Sequence, residues 1–279
     1  MDFPYLSPAS GSNANPSEIW ILELYFKKGC SLRQIIHILS DLRNIPYENI
    51  SKILRLPFER SLRPRKPEKV LSDYLESGWG GTCFSLNYLV IQALRTNGTD
   101  AWPVSVNTGR NTFPHYAILF SRYDKQYLID PGYLLYSPLL LKERGADYGT
   151  NGVLDYELLM ENGLYTLSSI DARHRKKRYV FSPNRVEDRV FIHHWIRSFD
   201  YISALVASRI VDNSILYIND DYVRFTDAHT VEKRYDKEKA DEYLSKYFGF
   251  SREEVFRARE IILDSQKNNK IKKIADFNL

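Results

Sequence analysis

The sequence predicts an α+β fold in which helices come first and antiparallel strands follow. An amphipathic helical pattern starts at Ser31, with an apolar stripe at Leu32, Ile35, Ile36, Leu39 and Leu42. After residue 100, short alternating apolar runs are separated by polar turns, which is typical of antiparallel strands. One amphipathic helix leading into successive strands of this kind indicates an α+β protein.

Length and composition favour one compact protein of two or three sub-domains. The chain has 279 residues, of which 43% are hydrophobic, and a formal net charge of +4. Such a mild charge does not by itself favour a nucleic-acid partner. No apolar run approaches the roughly 20 residues that a membrane helix needs. We therefore expect neither nucleic acid nor membrane as a partner, and the oligomeric state is open.

The number of cysteines and the N-terminal composition indicate the cellular compartment. The two cysteines, Cys30 and Cys83, are too few for a disulfide framework. The N-terminus shows neither the basic nor the apolar region of a secretory signal. We therefore expect a cytoplasmic protein with both thiols free.

The helical part is predicted in chain order. Residues 1–16 are rich in Pro, Ser, Asn and Gly and predict a flexible arm. A first helix is predicted from residue 17 to Gly29, and a second begins at Ser31, which forms a capping-box pattern with Gln34. A short third helix is predicted over 49–55, followed by a Pro-broken connector at 62–68. A fourth is predicted from Cys83 to Asn97–Gly98, with Thr82 as its N-cap.

The second half is predicted as strands with three more helices. Strands are expected at 102–106, 115–120, 126–129, 178–181, 188–192, 215–218 and 222–225, and helices at 194–208, 238–247 and 252–267. The dense basic run from Arg173 to Arg178 is best interpreted as a solvated loop or strand rim. The alternative is a patch that binds phosphate groups or an anionic surface.

Cys83 has the setting of a reactive thiol. It starts a strongly amphipathic helix, where the helix dipole and free N–H groups favour a thiolate. Gly80 and Gly81 precede it, so the backbone can pass close to a substrate. A cysteine is more often an inert small hydrophobe, which is our interpretation of Cys30.

His115 and Asp130 complete a predicted triad. His115 begins one strand and Asp130 ends the next, so an antiparallel pair brings them side by side. The carboxylate would orient the imidazole, which would act as base for Cys83. A lone histidine at a strand end, or Asp-Pro-Gly as a simple turn, would be unremarkable alone; their order and placement together favour nucleophilic catalysis.

These residues carry a resemblance to the arylamine N-acetyltransferases, within the larger papain- and transglutaminase-like group of Cys-His-Asp enzymes. Residues 80–87, Gly-Gly-Thr-Cys-Phe-Ser-Leu-Asn, are similar to the family's Arg-Gly-Gly-x-Cys-Phe-Glu-x-Asn motif. The segments that contain His115 (115–119) and Asp130 (127–133), the Ile-Pro-Tyr-Glu-Asn-Ile at 45–50, and the Tyr-Phe-Gly-Phe at 247–250 also resemble family segments. Trp79 and Ser85 stand where the family usually has arginine and glutamate.

The resemblance implies three sub-domains and a reaction. They would be a helical bundle over 17–98 that carries the nucleophile, an antiparallel β-barrel over 99–193, and an α/β lid over 194–279. Acetyl-CoA would acylate Cys83, and an arylamine-type acceptor would then take the acetyl group by a ping-pong mechanism. No metal is expected. Tyr47, Phe113 and Gly132 are expected to contact the substrate.

Three alternatives remain open. A transglutaminase-like amidase or protease uses the same order of Cys, His and Asp, but its motif usually lacks the double glycine. An amide synthase within the family would act on a carrier-bound thioester. A binding module that has lost its chemistry would fit the changes at Trp79 and Ser85, although all three triad positions are present.

Overall fold

The computed structural model describes residues 31–109, 114–171 and 174–277. The predicted arm at 1–16, the helix predicted from 17 to Gly29, Cys30 and Phe113 lie outside these residues. Within them the α+β class is confirmed. The helices are α1 (Leu32–Leu42), α2 (Ile50–Ile53), α3 (Pro67–Ser77), α4 (Cys83–Thr96), α5 (Asp188–Arg197), α6 (Lys237–Phe248) and α7 (Arg252–Phe277).

The described strands form three antiparallel sheets. The first contains β2 (Asp100–Val106), β3 (His115–Arg122), β4 (Lys125–Asp130) and β5 (Leu135–Leu140) in chain order. The second contains β6 (Gly145–Thr150), β7 (Asp155–Glu161), β8 (Leu164–Ile170) and β9 (Arg175–Phe181). The third has the order β1, β10, β11, β12, β13, with β1 (Tyr47–Glu48), β10 (Val206–Val211), β11 (Ser214–Asn219), β12 (Tyr222–Thr226) and β13 (Val231–Tyr235).

The local signals in the helical part act as predicted. Ser31 caps α1 with a complete capping box, because its hydroxyl accepts from the Gln34 N–H and the Gln34 side chain accepts from the Ser31 N–H. Asn97 ends α4 and is followed by Gly98 at φ 75°. Thr82 stands at the N-cap of α4, but its side chain makes no capping hydrogen bond.

The closed barrel that the resemblance implies is not confirmed. Its strands form the first two sheets, which are open and share one buried apolar cluster that includes Trp102, Leu119 and Leu167. The two sheets are joined by an isolated bridge between Asn107 and Val180. The arrangement therefore packs as a two-sheet core without a continuous ladder of hydrogen bonds around it.

The predictions between residues 188 and 208 are wrong. The expected strand at 188–192 is the first half of α5, and the expected helix at 194–208 is replaced by the end of α5, a 3-10 turn and the start of β10. Phe191 and Trp195 are buried at i, i+4 spacing on one face of α5. The short apolar run at 190–192 by itself fits a strand, whereas the spacing of Phe191 and Trp195 fits a helix.

The third sheet joins the N-terminal helical part of the protein to its C-terminal part. Tyr47 and Glu48 pair with Ser208 and Ala207, so a two-residue strand from the helical part forms one edge of it. On one face, Leu216, Ile218 and Val223 are buried in a cluster with residues of α6 and α7. The other face carries the opposite residues of each strand toward the first two sheets, as the strand period of two requires.

We expect Gly249, which follows α6, to be essential for packing against the end of α3. Gly249 has φ 74°, and an added Cβ would lie 1.6 Å from the backbone oxygen of Ser77. Gly249→Ala should therefore lower the free energy of unfolding by about 3 kcal/mol or more, measured by urea denaturation.

The matched control is Gly152→Ala. Gly152 also has a positive φ, 89°, but an added Cβ meets nothing within 4 Å. Only conformational strain remains there, so the expected loss is about 1 kcal/mol. Equal losses for the two variants would contradict the proposed contact.

Candidate active site

Cys83 is the first residue of α4 and lies at the junction of that helix with the first sheet. The residue is buried, with 8% of its surface exposed. Backbone N–H groups in the first turn of a helix have no partner within the helix, and the Thr82 side chain does not cap them. The helix start therefore presents donors and the positive end of its dipole at the thiol.

The first sheet brings His115 and Asp130 together. β3 and β4 are antiparallel neighbours, His115 is the first residue of β3, and Asp130 is the last of β4. The His115 Nε2 atom lies 2.9 Å from Asp130 Oδ2. The Cys83 thiol is close enough to the imidazole to raise the pKa of His115. His115 Cε1 and Cys83 Cβ both lie within 3.3 Å of the position that a Cβ at Gly132 would take. The structure thus places the three predicted residues in the order thiol, imidazole, carboxylate.

The Asp130 carboxylate is fixed from two sides. Its Oδ1 accepts hydrogen bonds from the backbone N–H groups of Gly132, at 2.9 Å, and Tyr133, at 3.3 Å. These bonds form because Asp130 caps a short 3-10 turn over Pro131–Tyr133. Oδ2 remains for the imidazole, so the Asp-Pro-Gly turn orients the triad as well as turning the chain.

His115 is held toward its protonated form. Burial of the ring disfavours the imidazolium, but the negative charge and hydrogen bond of Asp130 outweigh it, together with the Cys83 contact, and raise the pKa of His115 well above its usual value. A thiolate beside an imidazolium is the reactive form of such a pair.

Gly132 lies against all three residues. An added Cβ at this position would be 2.6 Å from His115 Cε1, 3.1 Å from Asp130 Oδ1 and 3.3 Å from the Cys83 Cβ. The absent side chain therefore lets the thiol, the imidazole and the carboxylate approach one another. Gly132 serves this close approach, in addition to any contact with substrate.

Asn87 ties the helix to the sheet. Its side chain is fully buried one turn after Cys83, and its Nδ2 donates to the Tyr116 carbonyl oxygen at 2.7 Å. Tyr116 directly follows His115. The bond therefore fixes the start of β3, and with it His115, relative to the first turns of α4.

Lys52 adds a positive charge near the thiol. Its Nζ donates to the Ser198 hydroxyl at 2.6 Å and lies 4.7 Å from the Phe199 ring centre. Burial lowers the pKa of Lys52 to about 8, an effect that Cys83 and Asp200 partly oppose. The ammonium group therefore keeps most of its charge at neutral pH and favours an anionic sulfur.

Tyrosines surround the other side of the triad. The Tyr133 ring meets His115 edge-on at 5.3 Å between ring centres, and Tyr179 lies 6.0 Å from the imidazole. Burial and the charge of Asp130 raise the pKa of Tyr179 well above its usual value. Its hydroxyl is buried, and among the described residues it has no hydrogen-bond partner of normal geometry. Tyr47 is half-buried and close enough to Cys83 for the two to interact electrostatically.

A buried arginine supports the backbone before the nucleophile. Arg65 is 5% exposed and donates to Asp73 Oδ2 and to the Ser51 hydroxyl, each at 2.8 Å, and to the Gly80 carbonyl oxygen. Glu48 Oε1 lies 3.9 Å from the same guanidinium. Arg65 therefore fixes the glycine pair from which α4 starts.

This arginine accounts for the departures at Trp79 and Ser85. The Trp79 ring stacks on Phe250, 5.1 Å between centres, and thus packs with the α6–α7 side of the molecule. Ser85 and Arg65 both lie next to Gly81, where an added Cβ would be 2.2 Å from the Ser85 hydroxyl and 3.2 Å from Arg65 Nη2. The guanidinium group of Arg65, which comes from another segment of the chain, therefore lies in the polar space next to Ser85 and Gly81.

Sequence reasoning missed Arg65, Lys52 and Tyr179. Arg65 lies in the charged, Pro-broken segment at 62–68, where local pattern indicates exposure rather than burial. Lys52 lies five residues after Tyr47, a predicted contact residue, but a lysine in such a position is usually solvated. Only Tyr179 had a usable signal, because it alternates with Phe181 on the inward face of a strand.

Removing the buried guanidinium should cost far more stability than removing an exposed one. We expect Arg65→Gln to lower the free energy of unfolding by about 3 kcal/mol or more, because Glu48 and Asp73 would be left buried without it. The control is Arg60→Gln, since the Arg60–Asp200 pair is 64% and 37% exposed and contributes at most about 1 kcal/mol. Similar losses in the two variants, compared by urea denaturation, would refute this account of Arg65.

In the described part of the chain, no helix is both long and apolar enough to cross a membrane. Among the same residues, no group of three or more His, Cys, Asp or Glu side chains is placed to hold a metal ion.

Comparison with solved structures finds the same fold in arylamine N-acetyltransferases. The enzyme from Mycobacterium abscessus has a TM-score of 0.69 and 15% identity, covering 87% of this chain and 94% of its own. The enzyme from Salmonella typhimurium has a TM-score of 0.66 and 20% identity, covering 85% and 97%. The Bacillus cereus enzyme, described with a Cys-His-Glu triad, has a TM-score of 0.62 and 18% identity, covering 83% and 98%.

The comparison with curated protein sequences finds no significant relative. A family model described as N-acetyltransferase matches residues 31–255, which span all of the elements that form the site. Because the match extends over most of the chain, this protein belongs to the N-acetyltransferase family, a family of enzymes.

Proposed function

We propose that the protein transfers an acetyl group from acetyl-CoA to an arylamine-type acceptor through a thioester on Cys83. The observation that carries the proposal is the buried line of Cys83, His115 and Asp130 at the start of α4. The family match supports acetyl transfer, and the triad supplies a nucleophile and a proton carrier for it.

In the first half-reaction, the Cys83 thiolate attacks the carbonyl carbon of the donor thioester. The new carbon–sulfur bond forms as the bond to the coenzyme A sulfur breaks. The His115 imidazolium gives its proton to the departing thiolate, and the imidazole is left neutral. Asp130 keeps the proton on Nε2, so that the opposite nitrogen faces the sulfur.

In the second half-reaction, the acceptor nitrogen attacks the acetyl-Cys83 carbonyl. The neutral imidazole takes the proton that the amine loses, and the Cys83 thiolate leaves. Each half restores the proton that the other used, so the enzyme returns to its starting state. The negative oxygen of each tetrahedral intermediate would lie near the Cys83 backbone N–H, which has no partner within α4.

The aromatic side chains beside the triad favour a flat acceptor. Tyr47 and Tyr133 are half-buried and flank the approach to Cys83 and His115. We propose that they stack on the acceptor ring, with Phe113 as a further contact, although it lies outside the described residues. An amidase or protease would instead need an open groove for a peptide chain.

Incubation with acetyl-CoA should add one acetyl group to the protein, detected by intact mass spectrometry. Cys83→Ala should take up none, and His115→Ala should be acylated at least about 10³-fold more slowly. An arylamine should then discharge the adduct faster than water does. The reason is that acceptor stacking places the amine nitrogen at the thioester carbon.

Other outcomes separate the alternatives. An adduct that water discharges as fast as an amine indicates a hydrolase. Acylation by a carrier-bound thioester but not by acetyl-CoA indicates an amide synthase. An unchanged adduct in Cys83→Ala would refute the mechanism outright, and no adduct from any thioester would indicate a binding module.

Asp130→Asn should lower the pKa of His115. The wild-type imidazole should titrate well above 6.5, whereas burial without the carboxylate favours the neutral ring. Because the folded-state pKa is raised, the stability from this pair is fully present below about pH 6.5 and is lost as pH rises through the pKa of His115.

Proton NMR of the imidazole signals would measure the shift, with the exposed His174 as internal reference. The same variant should acylate at least about 10³-fold more slowly, since the imidazole loses its orientation. An unchanged His115 titration in Asp130→Asn would show that the carboxylate does not hold the proton.

A further inference from the structure

A row of side chains crosses the third sheet and leads away from Cys83. Tyr47 lies directly opposite Ser208, Ser208 opposite Tyr217, and Tyr217 opposite Arg224. Directly opposite residues project to the same face of a sheet. Three strand spacings of about 4.8 Å separate the first strand from the last, so the row runs roughly 14 Å from the active site.

This face looks toward the first two sheets, because its neighbouring residues Ile210 and Ile215 pack into the cluster that those sheets share. The opposite face is covered by α6 and α7. The row therefore lies on the face of the third sheet that is directed toward the other two sheets, with Tyr47 at the end nearer to Cys83 and Arg224 three strands away from it.

Arg178 lies on β9, in the second sheet, toward which the row is directed. The β8–β9 register shifts between Leu167 and Ser168, which pair with Tyr179 and Lys177, so Arg178 is the unpaired residue of a β-bulge. Its Nε donates to the Ser169 hydroxyl at 2.7 Å, and its guanidinium lies 5.6 Å from the Tyr133 ring centre. Tyr133 contacts His115, so Arg178 is one ring away from the catalytic imidazole.

The two arginines lack a counter-ion among the described residues. Neither Arg178 nor Arg224 forms an ion pair there, whereas Arg175 of the same strand pairs with Glu157. Arg224 packs over Tyr217 at 5.0 Å, and its Nε is buried without a hydrogen-bond partner in the described part of the chain. Burial lowers the pKa of Arg178, and the positive charge of Arg224 adds to that effect, while Tyr156, Tyr133 and the Asp171 carboxylate oppose it.

Two half-buried arginines on facing sheets, neither of them ion-paired with a carboxylate in the described part of the chain, would be stabilised by an anion bound between them. We propose that Arg178 and Arg224 bind a phosphate group of the acyl donor, while its thioester arm lies along Tyr217 and Tyr47 toward Cys83. Guanidinium groups bind phosphate oxygens through paired N–H donors, and among the described residues the one side-chain hydrogen bond of Arg178 uses its Nε rather than its Nη groups.

This inference rests on the proposed function for the identity of the donor. It also assigns one residue of the basic run, Arg178, to phosphate binding, whereas the neighbouring Lys177 is exposed. The length of the row is comparable to the extended pantetheine arm between the thioester and the phosphate of coenzyme A.

The test compares two donors that differ in phosphate. Cys83 acylation is followed by mass spectrometry with acetyl-CoA and with S-acetylpantetheine, which has the same arm without phosphates. Arg178→Gln and Arg224→Gln should each lower kcat/KM for acetyl-CoA about tenfold more than for S-acetylpantetheine. Lys177→Gln, the matched control from the same strand, should leave the ratio unchanged.

An equal loss with both donors would show that the arginines only support the fold, and would overturn the inference. Calorimetric binding of coenzyme A separates this result from failure of the proposed function. If wild-type protein binds coenzyme A but no thioester acylates Cys83, weaker binding in the double variant still supports the arginine site. Equal binding by the wild type and the double variant, or none by either, would refute it.

Discussion

The buried guanidinium of Arg65 joins three segments that meet just before the nucleophile. It bonds to Asp73 on α3, to Ser51 on α2 and to the carbonyl oxygen of Gly80, which leads into α4. A buried charge of this kind persists only where partners surround it. Because these partners belong to different elements, the bonds of Arg65 hold the start of α4 in place relative to α2 and α3. They thereby also position the Cys83 sulfur.

The chemistry depends on where elements begin and end. Cys83 starts a helix, His115 starts a strand, and Asp130 ends one, so each side chain projects at an edge rather than into the middle of a layer. The helix start, the imidazolium and Lys52 all place positive charge near one sulfur. Their effects add because the site is buried and water screens them little.

Sequence reasoning reached the residues whose roles follow from local pattern. The capping box at Ser31, the helix that begins at Cys83 and the hairpin whose strands carry His115 and Asp130 all have short-range signals. Arg65 has none, because its burial depends on carboxylates from two other segments. The strand predicted at 188–192 was wrong for a related reason: a short apolar run does not reveal the period on which it is buried.

The third sheet shows how contributions from distant parts of the chain form one site. Its edge strand, Tyr47–Glu48, comes from the helical part, and the strands that extend it come from 206–235. Tyr47 faces the thiol while Glu48, the next residue, turns to the opposite face beside Arg65. This two-residue strand therefore contacts both Arg65, which supports the backbone before Cys83, and the row of residues that leads to Arg224. A donor bound along that row would contact the same strand that holds the glycine pair, so binding and positioning share one element.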